Sequence, residues 1–193
     1  MKKIAAIMGF ALLLSGCAIL NELTALTKCE FKFHSAENPV IAGINVSRIN
    51  SYSDLSFMDG QRVVTTIMQR KLPFEITANV EVKNPGMMTA AVNQIEWIAY
   101  IDDIEISRGR VDRRIEIQPN ATTLVPIRID TDLFQYLEGD NPKTMLNFGL
   151  NLVDAGGQPT RLSMKIKPSV YVSGQMIPYP DYFTITHVFK SGS

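Results

Sequence analysis

From Phe74 to Lys83 apolar and polar residues alternate without a break: Phe74, Ile76, Ala78, Val80 and Val82 against Glu75, Thr77, Asn79, Glu81 and Lys83. A helix would scatter these five apolar side chains round its circumference, whereas a strand sets them all on one face. The same two-residue period returns along the chain. Ile95, Trp97, Ala99 and Ile101 share a phase, as do Val125, Ile127 and Ile129, and Leu162, Met164, Ile166, Pro168, Val170 and Val172. A last run spans Tyr182 to Phe189. Nearer the start, Cys29, Phe31 and Phe33 alternate with Glu30, Lys32 and His34. After the turn signal Asn38-Pro39, Val40, Ala42, Ile44 and Val46 form a further set.

Between the runs stand residues that break or reverse a ladder. Asn84-Pro85-Gly86 and Gln118-Pro119-Asn120 predict turns, Asp102-Asp103 a hairpin and Ser173-Gly174 another reversal. The strand returning from Asp103 runs from Ile104 to about Arg108 with a bend or bulge expected near Gly109, and Val111, Ile115 and Ile117 continue it. Pro126 cannot donate to a ladder, so an edge strand or a bulge is expected there. About eight strands joined by short turns predict a mainly β fold, an antiparallel immunoglobulin/fibronectin-III-like β-sandwich.

Two segments change period. In residues 54–70, Val63, Val64, Ile67 and Met68 recur at helical spacing behind Asp54, which could cap the entry. An amphipathic helix of this kind covers one end of a sheet more often than it binds a membrane. Asp132 to Tyr136 predicts a single helical turn. Asn141-Pro142 supplies an N-cap and a first-turn proline for a second helix ending before Gly156-Gly157. Residues 143–154 also alternate as a strand would, so both readings stand at this point.

The first sixteen residues are a separate object. Lys2 and Lys3 precede an apolar run, Ile4 to Leu14, of about 11 residues, far short of the roughly 20 that span a bilayer. Charge followed by a short apolar run describes a secretory signal. Leu14-Ser15-Gly16-Cys17 resembles the lipobox of bacterial lipoproteins, in which small residues admit a protease and the thiol takes the lipid. Cleavage is therefore expected between Gly16 and Cys17, with lipid attachment at Cys17. Residues 17–28 would be a lipidated tether and 29–190 the folded domain. The partner implied is a membrane, held through that lipid, because two or more acyl chains anchor stably where one does not. Ala18 is not acidic, which by resemblance to Gram-negative sorting favours the outer membrane, facing the periplasm. Cys29 then has no lipid and no obvious partner. It reads as a small buried residue, with a Cys17–Cys29 disulfide as the competing account.

The stretch from Phe74 to Ile129 resembles the LEA type 2 domain, also known as the water-stress and hypersensitive-response domain. The features that carry the resemblance are an alternating strand ending in Asn84-Pro85 and an aromatic strand, Trp97 to Tyr100, leading into a hairpin. A return strand containing Gly109 and the turn 118–120 before Leu124 to Ile129 complete it. The resemblance implies a sandwich with a flanking helix, no enzymatic activity, no cofactor, and a binding or structural role linked to stress.

Charge and motifs narrow the function classes. The 19 basic and 19 acidic residues balance, and no basic stripe of the kind that binds nucleic acid is present. His34 and His187 lie far apart, and Cys29 with His34 is a thin start for a metal site, so no metal is expected. Asp102, Asp103 and Glu105 lack calcium-loop spacing and read as a solvated turn. Arg108, Arg110, Arg113 and Arg114, interleaved with Asp112 and Glu116, could touch lipid headgroups but fit an exposed strand face with ion pairs. No serine sits in a nucleophile elbow, and no phosphate or dinucleotide fingerprint occurs. The expectation is a non-catalytic envelope lipoprotein that binds a protein partner. The alternative is an apolar-ligand or lipid carrier, with either the sandwich interior or the 59–70 helix edge as the site.

Overall fold

In the computed structural model, which describes residues 24–49, 54–138, 142–152, 156–172 and 174–189, two antiparallel sheets enclose one core. The first sheet runs β2 (Ile44–Asn45), β1 (Glu30–Ile41), β3 (Pro73–Lys83), β8 (Thr122–Asp132). In the second, β6 (Ile104–Val111) pairs with β5 (Gln94–Ile101), which pairs with the long β9 (Thr160–Val172). The far edge of β9 is shared by β10 (Gln175–Pro178) and β11 (Phe183–Phe189). A short ribbon joins β4 (Ala90–Val92) to β7 (Ile115–Ile117). The expected antiparallel sandwich with short flanking helices is the observed architecture.

The alternation in the sequence is what fills the core. The five apolar residues of β3 are each no more than 2 % exposed. They face Ile95, Trp97, Ala99 and Ile101 of β5 and Leu162, Met164 and Ile166 of β9 in one cluster. Side chains close both seams of the sandwich. Phe31 stacks on Phe183 at 4.3 Å and Phe33 on His187 at 4.3 Å. Across the other seam Thr131 Oγ1 donates to the Ile106 carbonyl at 2.7 Å. β8 lies at a sheet edge, which accommodates Pro126.

Several local expectations are corrected. Asn38-Pro39 does not turn the chain. β1 runs through it with a register shift between Glu37 and Val40, and Asn38 takes the left-handed φ of +52° that lets the strand bulge. The reversal comes at Ala42-Gly43, both at positive φ, so the expected strand of Val40, Ala42, Ile44 and Val46 is instead a hairpin followed by a 3-10 turn at Val46–Arg48. No bulge sits at Gly109, which pairs regularly with Trp97; the shift lies between Ala99 and Tyr100. Gly109 is needed for another reason: a Cβ there would come within 2.4 Å of the Trp97 ring. β4 and β10 were not foreseen.

Three helices lie at the end of the sandwich reached by the C-terminus of β1: α1 (Phe57–Met68), α2 (Phe134–Leu137) and α3 (Pro142–Leu152). The last settles residues 143–152 as helix. Asn147 and Asn151, one turn apart, both donate to the Gln158 carbonyl and to Thr160 Oγ1, which only a helix allows. The expected Asn141 cap lies outside the described residues, as do the signal, the lipobox, Gly16 and Cys17.

The described chain starts at the opposite end. A turn at 24–28 tucks Ala25 and Leu26 into the core below Cys29, and Glu30 then pairs with Lys83. The twelve residues of β1 rise about 3.3 Å each, so the two ends of the sandwich stand roughly 40 Å apart, less what the bulges take up.

Candidate functional site

The residues singled out for chemistry do not converge. His34 Nδ1 lies 3.3 Å from Glu81 Oε2 on an exposed strand face. His187 is wedged between Phe33 and Phe189, and burial lowers its pKa below the ordinary value of 6.5. Cys29 is a free, buried thiol whose Sγ donates to the Ala25 carbonyl at 3.6 Å; burial pushes its pKa up to about 11. Burial and the raised pKa leave the thiol inert; Cys17, the disulfide partner in the competing account, lies outside the described residues. No group of three or more metal-ligating side chains occurs among the described residues.

The acidic hairpin and the arginine patch are structural. Asp102 and Asp103 both take positive φ in the turn. Asp102 Oδ1 accepts the Arg161 backbone N–H at 2.8 Å, and Asp103 pairs with the Arg161 guanidinium at 2.7 Å. Along the exposed face Arg108 pairs with Glu105, Arg110 with Asp112 and Arg114 with Glu116. These three cations spend their charge locally.

The feature that stands out is apolar. Beside the main cluster lies a small satellite of Ile44, Val46 and Ile49, against which Leu55, Val63 and Leu152 pack. The seam between the two is not filled. It forms a cleft of about 230 Å³, walled on the core side by Ile41, Leu72, Leu133 and Met145 and on the satellite side by Ile44, Val46, Val63 and Ile67. Leu146, Gly149 and Leu150 of α3 form its floor. A Cβ on Gly149 would meet Ile41 Cδ1 at an ordinary 3.9 Å, so the cleft owes part of its width to this glycine.

Helix α1 roofs the cleft, and the sequence shows why it forms. Ser56 Oγ accepts the Asp59 N–H at 3.1 Å while Asp59 Oδ2 accepts the Ser56 N–H at 3.1 Å, a reciprocal capping box. The Ser56 hydroxyl, donating to Asp59 Oδ2 at 2.6 Å, and the Ser56 N–H hold the Asp59 carboxyl below the usual range. The box is legible as Ser56-x-x-Asp59; Asp54, the expected cap, is not the capping residue. α1 buries no residue fully. Val63 and Ile67 turn toward the cleft, while Phe57 (80 % exposed), Val64 (58 %) and Met68 (79 %) face solvent. Its ties to the body are Arg62 Nη1 on the Gly43 carbonyl at 3.2 Å and, just beyond its end, Arg70 on Glu138 at 2.7 Å. Sequence reasoning offered the sandwich interior and this helix edge as alternative ligand sites. The interior is packed, with Trp97 and Met164 in the core, and the free volume lies at the helix edge.

No family model matches the sequence, and no curated protein matches it. Among solved structures, a protein from Archaeoglobus fulgidus is 14 % identical over 63 % of this chain and 87 % of its own, with a TM-score of 0.38. A solution structure from Arabidopsis thaliana is 16 % identical over 63 % of this chain and 72 % of its own, with a TM-score of 0.43. A protein described as late embryogenesis abundant (LEA) is 12 % identical over 99 % and 88 %, with a TM-score of 0.38.

Proposed function

We propose that this protein is a non-catalytic envelope lipoprotein, anchored through lipid on Cys17, whose sandwich is a binding module with the cleft beneath α1 as its site. The observation that carries the binding part is the cleft itself. What marks it is its lining: a groove of about 230 Å³, open to solvent on one side, walled by apolar side chains and Gly149 alone, whereas the grooves beside Trp97 and Asn45 are lined by charged groups. Such a site takes an apolar ligand and offers no polar group for chemistry. The anchor rests on the lipobox sequence alone.

Native mass spectrometry of the chain purified without detergent tests the site. The expected spectrum shows an apolar ligand on the wild type that Gly149→Leu, which grows into the cleft, excludes. A wild type that never carries or takes up an apolar molecule would remove the reading. Labelling with radioactive palmitate tests the anchor: wild type takes label, Cys17→Ser does not, and equal labelling refutes it.

One observation favours a second reading, the protein-partner module. The outward face of α1 presents Phe57, Val64 and Met68 together, and contiguous exposed apolar side chains of this kind mark interaction sites. A crosslinker placed at residue 64 that recovered one envelope protein repeatedly would support it.

A further inference from the structure

We infer that the end of the sandwich at which the described chain begins is a docking face for a lipid bilayer, entered by its uncharged connections; the choice of a bilayer as partner rests on the Cys17 anchor. Charged residues make up 20 % of the chain, yet none occurs in residues 84–95, 117–127 or 168–180. The fold brings these three stretches to one end. Lys83 closes β3 opposite Glu30 of β1 and Thr122 of β8. Just beyond it the 84–88 and 118–121 turns lie side by side, with the Asn120 N–H donating to the Gly86 carbonyl at 3.3 Å. On the other sheet Phe183, opposite Ile166, stacks on Phe31, opposite Val82, and β9 runs on past that level to Val172. The Asn93 N–H, donating to the Ser169 carbonyl at 2.8 Å, joins the first stretch to the third. The connections at the other end carry Arg70, Lys71, Asp102, Asp103, Asp132 and Glu138.

Apolar side chains project from this uncharged end. Met87 is 91 % exposed. Its turn is braced from inside, because the buried Asn84 holds the Met88 carbonyl and the Gly86 N–H, so the tip is held out in water. Past Ser169, β9 pairs only with β10 among the described strands, and this two-stranded ribbon exposes Tyr171, Met176 and Ile177. Exposed apolar side chains grouped in this way mark contact surfaces, and tyrosine is favoured at the depth of lipid headgroups. The charges nearby lean positive. Glu30, Asp112 and Glu116 each pair with a basic neighbour. Lys28, Lys83 and Arg113, which lies between β6 and β7, have no ion pair among the described residues, and Glu22 of the tether adds one negative charge in sequence. Uncommitted cations beside an apolar tip suit anionic headgroups.

The tether decides for a bilayer over a protein partner. The seven residues from Cys17 to Thr24 span at most about 25 Å fully extended. Thr24 leads through the 24–28 turn into Glu30, opposite Lys83, at this same end. A bilayer that holds the Cys17 lipid is therefore kept beside Met87 and the β9–β10 ribbon. Contact is then a local event and needs little affinity of its own. The cleft beneath α1, at the Ile41 end of β1, stands roughly 40 Å farther along the strand and opens on the aqueous side.

The test couples the mature chain through Cys17 to a maleimide lipid in phosphatidylethanolamine–phosphatidylglycerol nanodiscs, Cys29 being buried. The tether is then present whether or not cells acylate Cys17, and palmitate labelling judges the anchor separately. Amide hydrogen exchange is compared with the same chain capped at Cys17 and free in solution. Amides of residues 84–89 and 170–178 are expected to slow about tenfold or more on the nanodisc, with residues 57–68 unchanged. Met87→Asp with Met176→Asp should abolish the slowing, and Met87→Leu with Met176→Leu should keep it. Both side chains are exposed, so all variants should melt together in solution. Equal exchange in the two states, slowing at 57–68 in place of the two segments, or slowing that survives the aspartates overturns the inference. Slow exchange of both segments in the free chain, with a dimer mass by light scattering, makes the cover a second copy and overturns it as well.

Discussion

The two ends of this sandwich are built from the same kinds of residue and end up in opposite states. At the end where the described chain begins, the sandwich is packed solid. Leu26 fills the space below β1, and the turn at 84–88 is tied from inside by Asn84, which is fully buried. Its Nδ2 donates to the Met88 and Ile117 carbonyls at 2.8 and 3.0 Å, and its Oδ1 accepts the Gly86 N–H at 3.0 Å. At the helix end, a small satellite cluster sits apart from the main core, and α1 rests over the gap with no fully buried side chain. Sheets pack continuously because every second residue enters the same layer. A short helix presents only a stripe, here Val63 and Ile67, and needs a matched groove to pack without voids. The difference shows that the unfilled volume follows from how α1 is held, not from a shortage of apolar residues.

Mutations should reproduce this contrast. Phe74, fully buried and edge-on to Phe148 at 5.4 Å, should cost about 3–5 kcal/mol on truncation to Ala, whereas Val63→Ala should cost about 1 kcal/mol or less, read from urea midpoints. Equal losses would mean that α1 is as tightly packed as β3. Asn84→Ala strands two carbonyls and an N–H inside the solid end and should cost about 3 kcal/mol. A loss under about 1 kcal/mol would show that water takes over those groups.

His187 sharpens the comparison along the β1–β11 seam. Its folded pKa is depressed by burial, so the unfolded chain binds the proton more readily. Stability is complete above 6.5 and is lost as pH falls below it. His187→Leu should flatten that slope in melts between pH 7 and 5, and an unchanged slope would place the acid sensitivity elsewhere. The smallest effect is expected on the outer face of α1. Phe57→Ser or Val64→Ser should leave stability within about 0.5 kcal/mol, because both side chains are already in water. A larger loss would mean that this face is covered.

Most of the sandwich was legible because its strands have one buried face, and period-2 alternation reports a face directly. What was illegible depended on neighbours. Asn38-Pro39 reads as a turn, but the pairing of β1 with β3 on both sides carries the chain through as a bulge. Gly109 suggests a bulge, but its role is set by the Trp97 ring across the ladder. Residues 147–152 alternate, and α3 still forms, because Asn147 and Asn151 find one carbonyl and one hydroxyl in common. Of the site, the helix was visible in Val63, Val64, Ile67 and Met68, but only Val63 and Ile67 turn toward the body; Val64 and Met68 face solvent. The cleft was not, since it lies between residues such as Ile41, Leu72 and Met145 that are distant in sequence and individually ordinary core.

Amide hydrogen exchange, followed with and without decanol as an apolar probe, tests the central claim most directly. The account predicts that amides of residues 60–68 exchange far faster than those of β3, since their burial is slight, and slow markedly when decanol is added while β3 is unchanged. Protection in α1 that already matches β3, or that decanol leaves untouched, would contradict an apolar cleft roofed by a loosely held helix.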